Sequence, residues 1–288
     1  MTVSLQQPQK GDDMRVSADT LDLSMMGQSH ERSVTQTVLR RFMLWTLFWW
    51  GGVGVLAMLF YIGKLDFVSS TKISLYGISI WLNGWMLALF TAKSPARSKM
   101  NIYHECLVIW MLSYAMTNVL WEIPWVIFSP FVFTNLNSIE DVVANTDYMR
   151  ESIFHMYWWT LASFSSVDLR TVNHDPTFYT LEIYAFVNVL STIYFFYLNN
   201  KRSPYRYLIP ILGCGEPVAS TFIFSFTEVF ANFENMVGGV ADTLLALVWT
   251  QYQYILFPLI FGYFGYQLLL EDWRHCYVNG EKQAPSYQ

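Results

Sequence analysis

The feature that most constrains this chain is the run of residues 42–62, which is 21 residues long and carries no charged side chain. A helix needs about 20 apolar residues to cross the hydrocarbon core of a bilayer. The run is too long for a signal-peptide core, and no small-residue cleavage site follows it closely, so we expect a retained span. Five further stretches are long and apolar enough to cross as well: 73–92, 106–133, 178–198, 205–227 and 243–270.

Composition agrees with a membrane protein and excludes several other classes. Of the 288 residues, 53% are hydrophobic and only 14% are charged, whereas an average soluble domain has about 25% charged residues. The basic residues are too few and too scattered to follow a phosphate backbone, so we expect no nucleic-acid partner. The three cysteines lie far apart without a C-x-x-C pair, which gives neither a disulfide framework nor a zinc site.

The distribution of basic residues orients the six predicted spans. Segment 152–167 is apolar but short and rich in hydroxyls, and we interpret it as an interfacial helix. Six spans then place both termini on the side with eleven basic residues within about 20 residues of a span, against four on the other, and basic residues close to spans favour the cytoplasm. The eleven are Arg32, Arg40, Arg41, Lys93, Arg97, Lys99, Lys201, Arg202, Arg206, Arg274 and Lys282, and the four are Lys64, Lys72, Arg150 and Arg170.

Three carboxyl groups lie inside predicted spans, where an ionised side chain costs about 2.5 kcal/mol or more. Glu122 lies in the third span, Glu182 near the start of the fourth and Glu216 midway through the fifth. None has a Lys or Arg close to it in its span, so burial favours the neutral acid, which can donate a proton. The alternative is structural, because a protonated Glu can hydrogen-bond a neighbouring helix and hold a bundle together.

Prolines and aromatic rings accompany these acids. Pro124 follows the first acid by two residues and Pro217 directly follows the third, and each proline frees a backbone carbonyl one turn earlier. Such kinks indicate a cavity. Rings such as Trp121, Trp125 and Tyr254 could stabilise a cation in it, or they could pack helices and line the membrane interface. The five histidines lack H-E-x-x-H spacing, and we expect no metal and no cofactor.

Two stretches carry a family resemblance. Asp168-Leu169-Arg170, followed by Asp175 seven residues before Glu182, is similar to a D-x-R then D-x-x-x-x-x-x-E run, and residues 203–228 align without a gap with the family's next helix, sharing its Pro, Arg and terminal Thr-Glu. The chain thus resembles the emopamil-binding protein family, whose EXPERA domain occurs in sterol delta-8,delta-7 isomerase and the sigma-2 receptor. The resemblance covers roughly residues 73–270, and Pro258 matches a proline of the family's last helix.

The resemblance implies an all-α integral membrane fold with an EXPERA-like core. We predict a six-span helical bundle. It consists of a disordered cytoplasmic tail over 1–40, an extra N-terminal span and loop over 41–72, an EXPERA-like membrane domain over 73–270 and a cytoplasmic C-terminal tail over 271–288. The membrane would be the endoplasmic reticulum in a eukaryote and the cytoplasmic membrane in a bacterium. The oligomeric state stays open, with a homodimer as one option.

The resemblance also assigns the site. Glu122 and Glu182 match the two carboxylates that transfer protons in the isomerase, and the other predicted substrate-binding residues are Asn118, Trp121, Trp125, Asp175, Glu216, Gln251 and Tyr254. Asn118 replaces a family His four residues before the first acid, and Gln251 and Tyr254 replace an Asn and a Trp. The N-V-L-W-E run at 118–122 also resembles the N-x-x-W-E pattern of fungal membrane-bound meroterpenoid cyclases.

These observations predict an isoprenoid or sterol double-bond isomerase that protonates an alkene and removes a proton from a neighbouring carbon. That chemistry needs an acid, a base and a dry apolar cavity. Two alternatives stay open: a non-catalytic sterol- or lipid-binding or trafficking protein of the sigma-2 receptor type, and a membrane-bound terpene cyclase. In each case the partner is a sterol or terpenoid lipid.

Overall fold

The fold is a bundle of long helices joined by short helical segments. The computed structural model describes residues 13–91, 98–133, 136–152 and 155–287, and every element within these ranges is helical. In chain order the α-helices are α1 (Asp13–Tyr61), α2 (Phe67–Thr91), α3 (Lys99–Thr117), α4 (Ile123–Val132), α5 (Ile139–Ala144), α6 (Thr146–Arg150), α7 (Met156–Ala162), α8 (Pro176–Glu182), α9 (Tyr184–Asn200), α10 (Leu208–Phe230), α11 (Gly239–Leu245) and α12 (Gln253–Trp273). Asn118–Glu122, Ala246–Gln251 and Arg274–Val278 form wider π-helical turns, and Ser163–Ser166 and Leu169–Thr171 form tighter 3₁₀ turns.

Five helical stretches are long and apolar enough to cross a membrane. Within the described residues these are Leu39–Tyr61, Lys99–Val132, Pro176–Asn200, Leu208–Phe230 and Gln253–Val278. Large apolar side chains such as Leu47, Phe48, Leu190 and Leu212 are exposed on their outer surfaces, where lipid tails would cover them. The architecture is that of an all-helical integral membrane protein.

The second predicted span along the chain, 73–92, coincides with α2. This helix is 25 residues long, and residue 92 lies outside the described residues. Helix α2 is not among the five candidate spans found in the described residues. The count of six, and the EXPERA-like identity of the core, remain predictions.

The predicted segment boundaries differ from the helix ends. Helix α1 begins at Asp13, so residues 13–40 are helical where a disordered tail was predicted, and residues 1–12 lie outside the described ranges. This stretch contains many good helix formers, among them Leu, Met, Gln and Arg, that continue the helix beyond the apolar span. The predicted boundary at 72/73 falls inside α2 as well.

The first candidate span, in α1, is joined to α2 by tryptophans. The Trp45 indole N–H donates to the Trp81 carbonyl at 2.9 Å, and the Trp81 indole N–H donates to Thr46 Oγ1 at 3.2 Å. A Cβ added at Gly77 would lie 3.2 Å from the Trp49 ring, so the missing side chain lets the two helices approach closely. Helix α1 is therefore an integral part of the bundle.

Most of residues 159–167 are buried inside the bundle, although an interfacial helix was predicted for segment 152–167. The α-helix described in this segment, α7, has seven residues, too few to cross a membrane. Trp159 and Leu161 are fully buried, and the Trp159 indole N–H donates to Ser70 Oγ at 3.0 Å. The apolar residues that suggested a membrane surface pack against α2 and its neighbours instead. Residues 153 and 154 of the segment lie outside the described ranges.

A buried ion-pair cluster closes one end of the bundle. Arg170, which is 2% exposed, pairs with Asp168 at 2.6 Å and with Glu228 at 3.1 Å. Its guanidinium also donates to Thr227 Oγ1 at 2.8 Å and lies 4.0 Å from the Phe224 ring centroid. The two stretches that carry the family resemblance thus contact each other through this arginine.

A second cluster ties the C-terminal segment to the other end. Arg206 donates to Asp272 at 2.8 Å and to the Pro285 carbonyl at 2.7 Å, and the Ala284 N–H donates to the Arg202 carbonyl at 3.0 Å. Tyr287 is buried. Residues 271–288 were predicted to form a cytoplasmic C-terminal tail, and their described part packs on the bundle, where it supplies acceptors that a buried guanidinium needs.

Candidate functional site

A cavity opens within the helical bundle. Its volume is about 150 Å³, close to the ~150 Å³ of an engineered apolar cavity that binds benzene. Helices α1, α2, α3, α7, α8, α9, α10 and α12 all contribute to the wall, together with the π and 3₁₀ turns at Asn118–Glu122, Ala246–Gln251 and Ser163–Ser166. A space of this size holds one ring or one isoprene-sized part of a larger lipid.

All three predicted intramembrane acids line this cavity. Glu122, Glu182 and Glu216 reach it from three different helical segments and lie close enough to repel one another if they were ionised together. Among the described residues, none of the three forms an ion pair with a basic side chain. The cavity therefore collects carboxyl groups without a neutralising Lys or Arg.

The hydrogen bonding of Glu216 differs from that of the other two acids. Its Oε2 accepts from the Tyr114 hydroxyl and from Asn188 Nδ2 at 3.3 Å, and its Oε1 accepts from the Ser220 hydroxyl. These donors come from α3, α9 and α10 and hold the carboxyl in one orientation. Neither Glu122 nor Glu182 shows a side-chain hydrogen bond to a described residue, so both carboxyls are available to a ligand.

Glu122 lies in the π turn that interrupts the third span. Pro124 has no N–H to donate to the Leu120 carbonyl, which would be its helical partner, and the Tyr157 hydroxyl donates to that carbonyl instead at 2.6 Å. A tyrosine hydroxyl is protonated at neutral pH, and burial raises the pKa of Tyr157 further, so it is available as a donor. π turns inside α-helices are frequent at functional sites, and this one carries the acid on the cavity wall.

A second proline in the same span is compensated in the same way. Pro130 cannot donate to the Val126 carbonyl, and the Tyr179 hydroxyl of α8 donates to it at 2.8 Å. Tyrosines from two other segments thus satisfy backbone groups that the prolines free. The predicted irregularity beside Glu122 is built into the packing of the bundle.

Nine of the remaining wall residues are aromatic. They are Trp50, Trp81, Trp121, Trp159, Phe164, Phe178, Phe224, Tyr114 and Tyr254. The ring centroids of Trp50 and Trp81 are 6.2 Å apart in an edge-to-face arrangement. Ring faces can stabilise a cation in a water-poor site, and the acids and rings together give the cavity that capacity.

The structure separates the predicted site residues into two groups. Trp121, Gln251 and Tyr254 line the cavity with the three acids, whereas Asn118, Trp125 and Asp175 are not in its wall. Asn118 is buried and its Nδ2 donates to the Tyr114 carbonyl at 2.7 Å. The Trp125 indole N–H donates to the Thr171 carbonyl at 2.9 Å. Asp175 caps α8 by accepting from the Phe178 N–H at 2.8 Å. These three side chains make local contacts in this structure, and their role as substrate contacts remains a prediction.

Sequence reasoning missed several cavity residues that the fold brings in. Tyr114, Asn188 and Ser220 contact Glu216, and Trp50 and Trp81 belong to the first two helices. Ser220 had a readable signal, because it lies four residues after Glu216 on one helix face. The others had none, since their positions depend on how neighbouring helices are rotated against each other.

The described residues contain no group of three or more His, Cys, Asp or Glu side chains arranged to hold a metal ion. In comparisons with known proteins, no protein-family model, curated protein or solved structure matches the chain.

Proposed function

We propose that this protein is an integral membrane isoprenoid or sterol double-bond isomerase of the EXPERA type. The observation that carries the proposal is that Glu122 and Glu182 line one aromatic-walled cavity and have no described basic partner. One carboxyl protonates the alkene carbon, which leaves a carbocation. The other, ionised as a carboxylate, removes a proton from a neighbouring carbon, so the double bond shifts, the two carboxyls exchange protonation states and no net proton is consumed.

The geometry also supports a limit on the substrate. A cavity of about 150 Å³ is smaller than the ~300–1,000 Å³ of pockets that enclose drug-sized ligands. The reacting ring or isoprene unit fits, and the rest of the lipid lies outside the cavity or displaces its wall. Endoplasmic reticulum or bacterial cytoplasmic membrane, with cytoplasmic termini, is the location we propose.

The experiment that tests this function measures the incorporation of deuterium from solvent into the lipid. Membranes containing the protein are incubated with a panel of unsaturated sterols and terpenoids in deuterated water, and deuterium next to the double bond is measured by mass spectrometry. Glu122→Gln and Glu182→Gln should each lower the turnover by about 10²- to 10⁴-fold, because Gln keeps the shape of a neutral acid but cannot transfer a proton. Binding of the lipid should change little, since the lost step belongs to the transition state.

Glu234→Gln is the matched control, because Glu234 is an exposed acid that does not line the cavity. It should retain full incorporation. Deuterium incorporation that survives in both Gln variants of the cavity, or that is absent with every lipid in the panel, would contradict the isomerase.

A lipid-binding or trafficking protein is the second candidate. The observation that favours it is that no histidine lines the cavity among the described residues, and the position of the family's catalytic His is Asn118, which bonds to the backbone. A membrane-bound terpene cyclase would use the same acids and would be detected in the same assay as a cyclised product. Lipid co-purification without any deuterium exchange would favour the binding protein.

A further inference from the structure

The side chains of Tyr114 and Asn188 both donate hydrogen bonds to the Glu216 carboxyl group. Asn188 Nδ2 donates to the Tyr114 hydroxyl oxygen at 3.2 Å, and because that oxygen accepts from the amide, its own hydrogen points to Glu216 Oε2. Asn188 also donates directly to Oε2 at 3.3 Å. Networks in which each group polarises the next are strengthened in a low-dielectric interior.

The other carboxyl oxygen is occupied as well. The Ser220 hydroxyl reaches Glu216 Oε1 and, as an alternative acceptor, the Glu216 backbone carbonyl at 2.9 Å. An ionised carboxylate is a pure acceptor, whereas a neutral acid must place its own hydrogen among these donors. The arrangement of three donors on two oxygens therefore suits a carboxylate.

This environment separates Glu216 from the acids assigned to proton transfer. A carboxylate whose oxygens already accept hydrogen bonds is oriented before any ligand enters, and such preorganised charge stabilises an opposite charge without reorganisation. Glu122 and Glu182 have no described donors and face the same space. Several aromatic rings complete the surroundings of a cation.

We propose that Glu216 is a fixed negative charge that stabilises the cation formed in the cavity, with Tyr114, Asn188 and Ser220 as its positioning residues. The inference rests on the proposed function for the identity of the cation as a carbocation. It assigns Glu216 no proton transfer. It also predicts that the cavity prefers a cationic ligand to a neutral ligand of the same shape.

Two small probes test this preference directly. Phenyltrimethylammonium and tert-butylbenzene differ by nitrogen in place of one carbon, and hence by one positive charge. Binding of each to the purified protein in nanodiscs is followed through the fluorescence of the tryptophans in the wall. For each variant we take the ratio of the two dissociation constants and compare that ratio with the ratio for the wild type. Partition of the probes into lipid is the same for every variant, so it cancels in this comparison.

Glu216→Gln should reduce the preference for the cation at least tenfold relative to the wild type. The surface control Glu234→Gln should leave the ratio within about threefold, since it removes no charge from the cavity. An unchanged ratio in Glu216→Gln would overturn the inference.

Tyr114→Phe provides a second variant, which decides the question if Glu216→Gln does not fold. It keeps the carboxyl but removes one of its donors, so the ratio should fall at least threefold; no change would overturn the inference. The outcomes also separate the two proposals. Absence of deuterium exchange with a Glu216-dependent preference contradicts only the isomerase, whereas exchange without that preference contradicts only the role of Glu216.

Discussion

At the scale of single residues, Arg170 shows how a charge is accommodated at the end of a membrane bundle. Its guanidinium contacts two carboxylates, Asp168 and Glu228, and all three side chains are at most 3% exposed. Burial of charges is tolerated only when they are paired and hydrogen-bonded. The cluster joins the loop after α7 to the end of α10, so it fixes two walls of the cavity.

Arg170→Met should therefore destabilise the protein strongly. Removing one member of a buried ion pair typically costs about 3–5 kcal/mol, because the remaining charge is left without compensation. Thermal unfolding in detergent measures the effect as a lower midpoint. Arg274→Met is the matched control, since Arg274 pairs with Glu271 while 65% exposed, and exposed pairs contribute about 0–1 kcal/mol. Equal midpoints for the two variants would refute the structural role of Arg170.

At the scale of elements, the interrupted third span depends on a tyrosine from another segment. Tyr157 donates to the Leu120 carbonyl that Pro124 leaves without a helical donor. The π turn and the loop helix α7 therefore support each other. This coupling predicts a non-additive response to substitution.

Tyr157→Phe should cost about 1 kcal/mol in the wild type, the usual net value of one hydrogen bond. In a Pro124→Ala background it should cost less, because residue 124 can then donate its own N–H to Leu120. Unfolding free energies of the four proteins form a double-mutant cycle with a coupling of about 0.5 kcal/mol or more. Strict additivity would show that the proline and the tyrosine act independently.

At the scale of the whole molecule, the buried ion-pair clusters of Arg170 and Arg206 each hold connecting segments together at one end of the bundle. Arg150 donates to the Phe60 carbonyl at 3.2 Å and Leu169 N–H donates to the Asn235 carbonyl at 2.9 Å, which brings the loops of one end together. The Arg206 cluster does the same for the loops and C-terminal segment of the other. We propose that this second end faces the cytoplasm, as the basic residues of the sequence predict.

Topology can be measured in sealed, right-side-out vesicles. A tag at the N-terminus should resist external protease, and the half-exposed thiol of Cys276 should resist an impermeant maleimide. A cysteine introduced by Glu234→Cys should react, since that exposed position lies in the loop predicted for the opposite side, while Cys106 and Cys214 are buried. Protease cleavage of the tag or labelling of Cys276 from outside would contradict cytoplasmic termini.

The sequence alone determined the class of protein and which carboxyl groups are candidate site residues. Long uncharged runs can only be accommodated in a membrane or a large core, and a carboxyl inside such a run must be compensated or used. For that reason Glu122, Glu182 and Glu216 could be selected without a structure, and all three line the cavity.

Tertiary structure alone decided which neighbours these acids have. Apolar runs do not define how each helix is rotated about its axis, so the sequence did not show that Asn118, Trp125 and Asp175 lie outside the cavity wall or that Tyr114, Asn188 and Trp50 belong to it. The π turn adds to the difficulty, because it shifts the register of side chains within a single span. Burial of the segment after residue 152 and docking of the C-terminal segment likewise depend on partners far apart in the chain, such as Ser70 for Trp159 and Pro285 for Arg206.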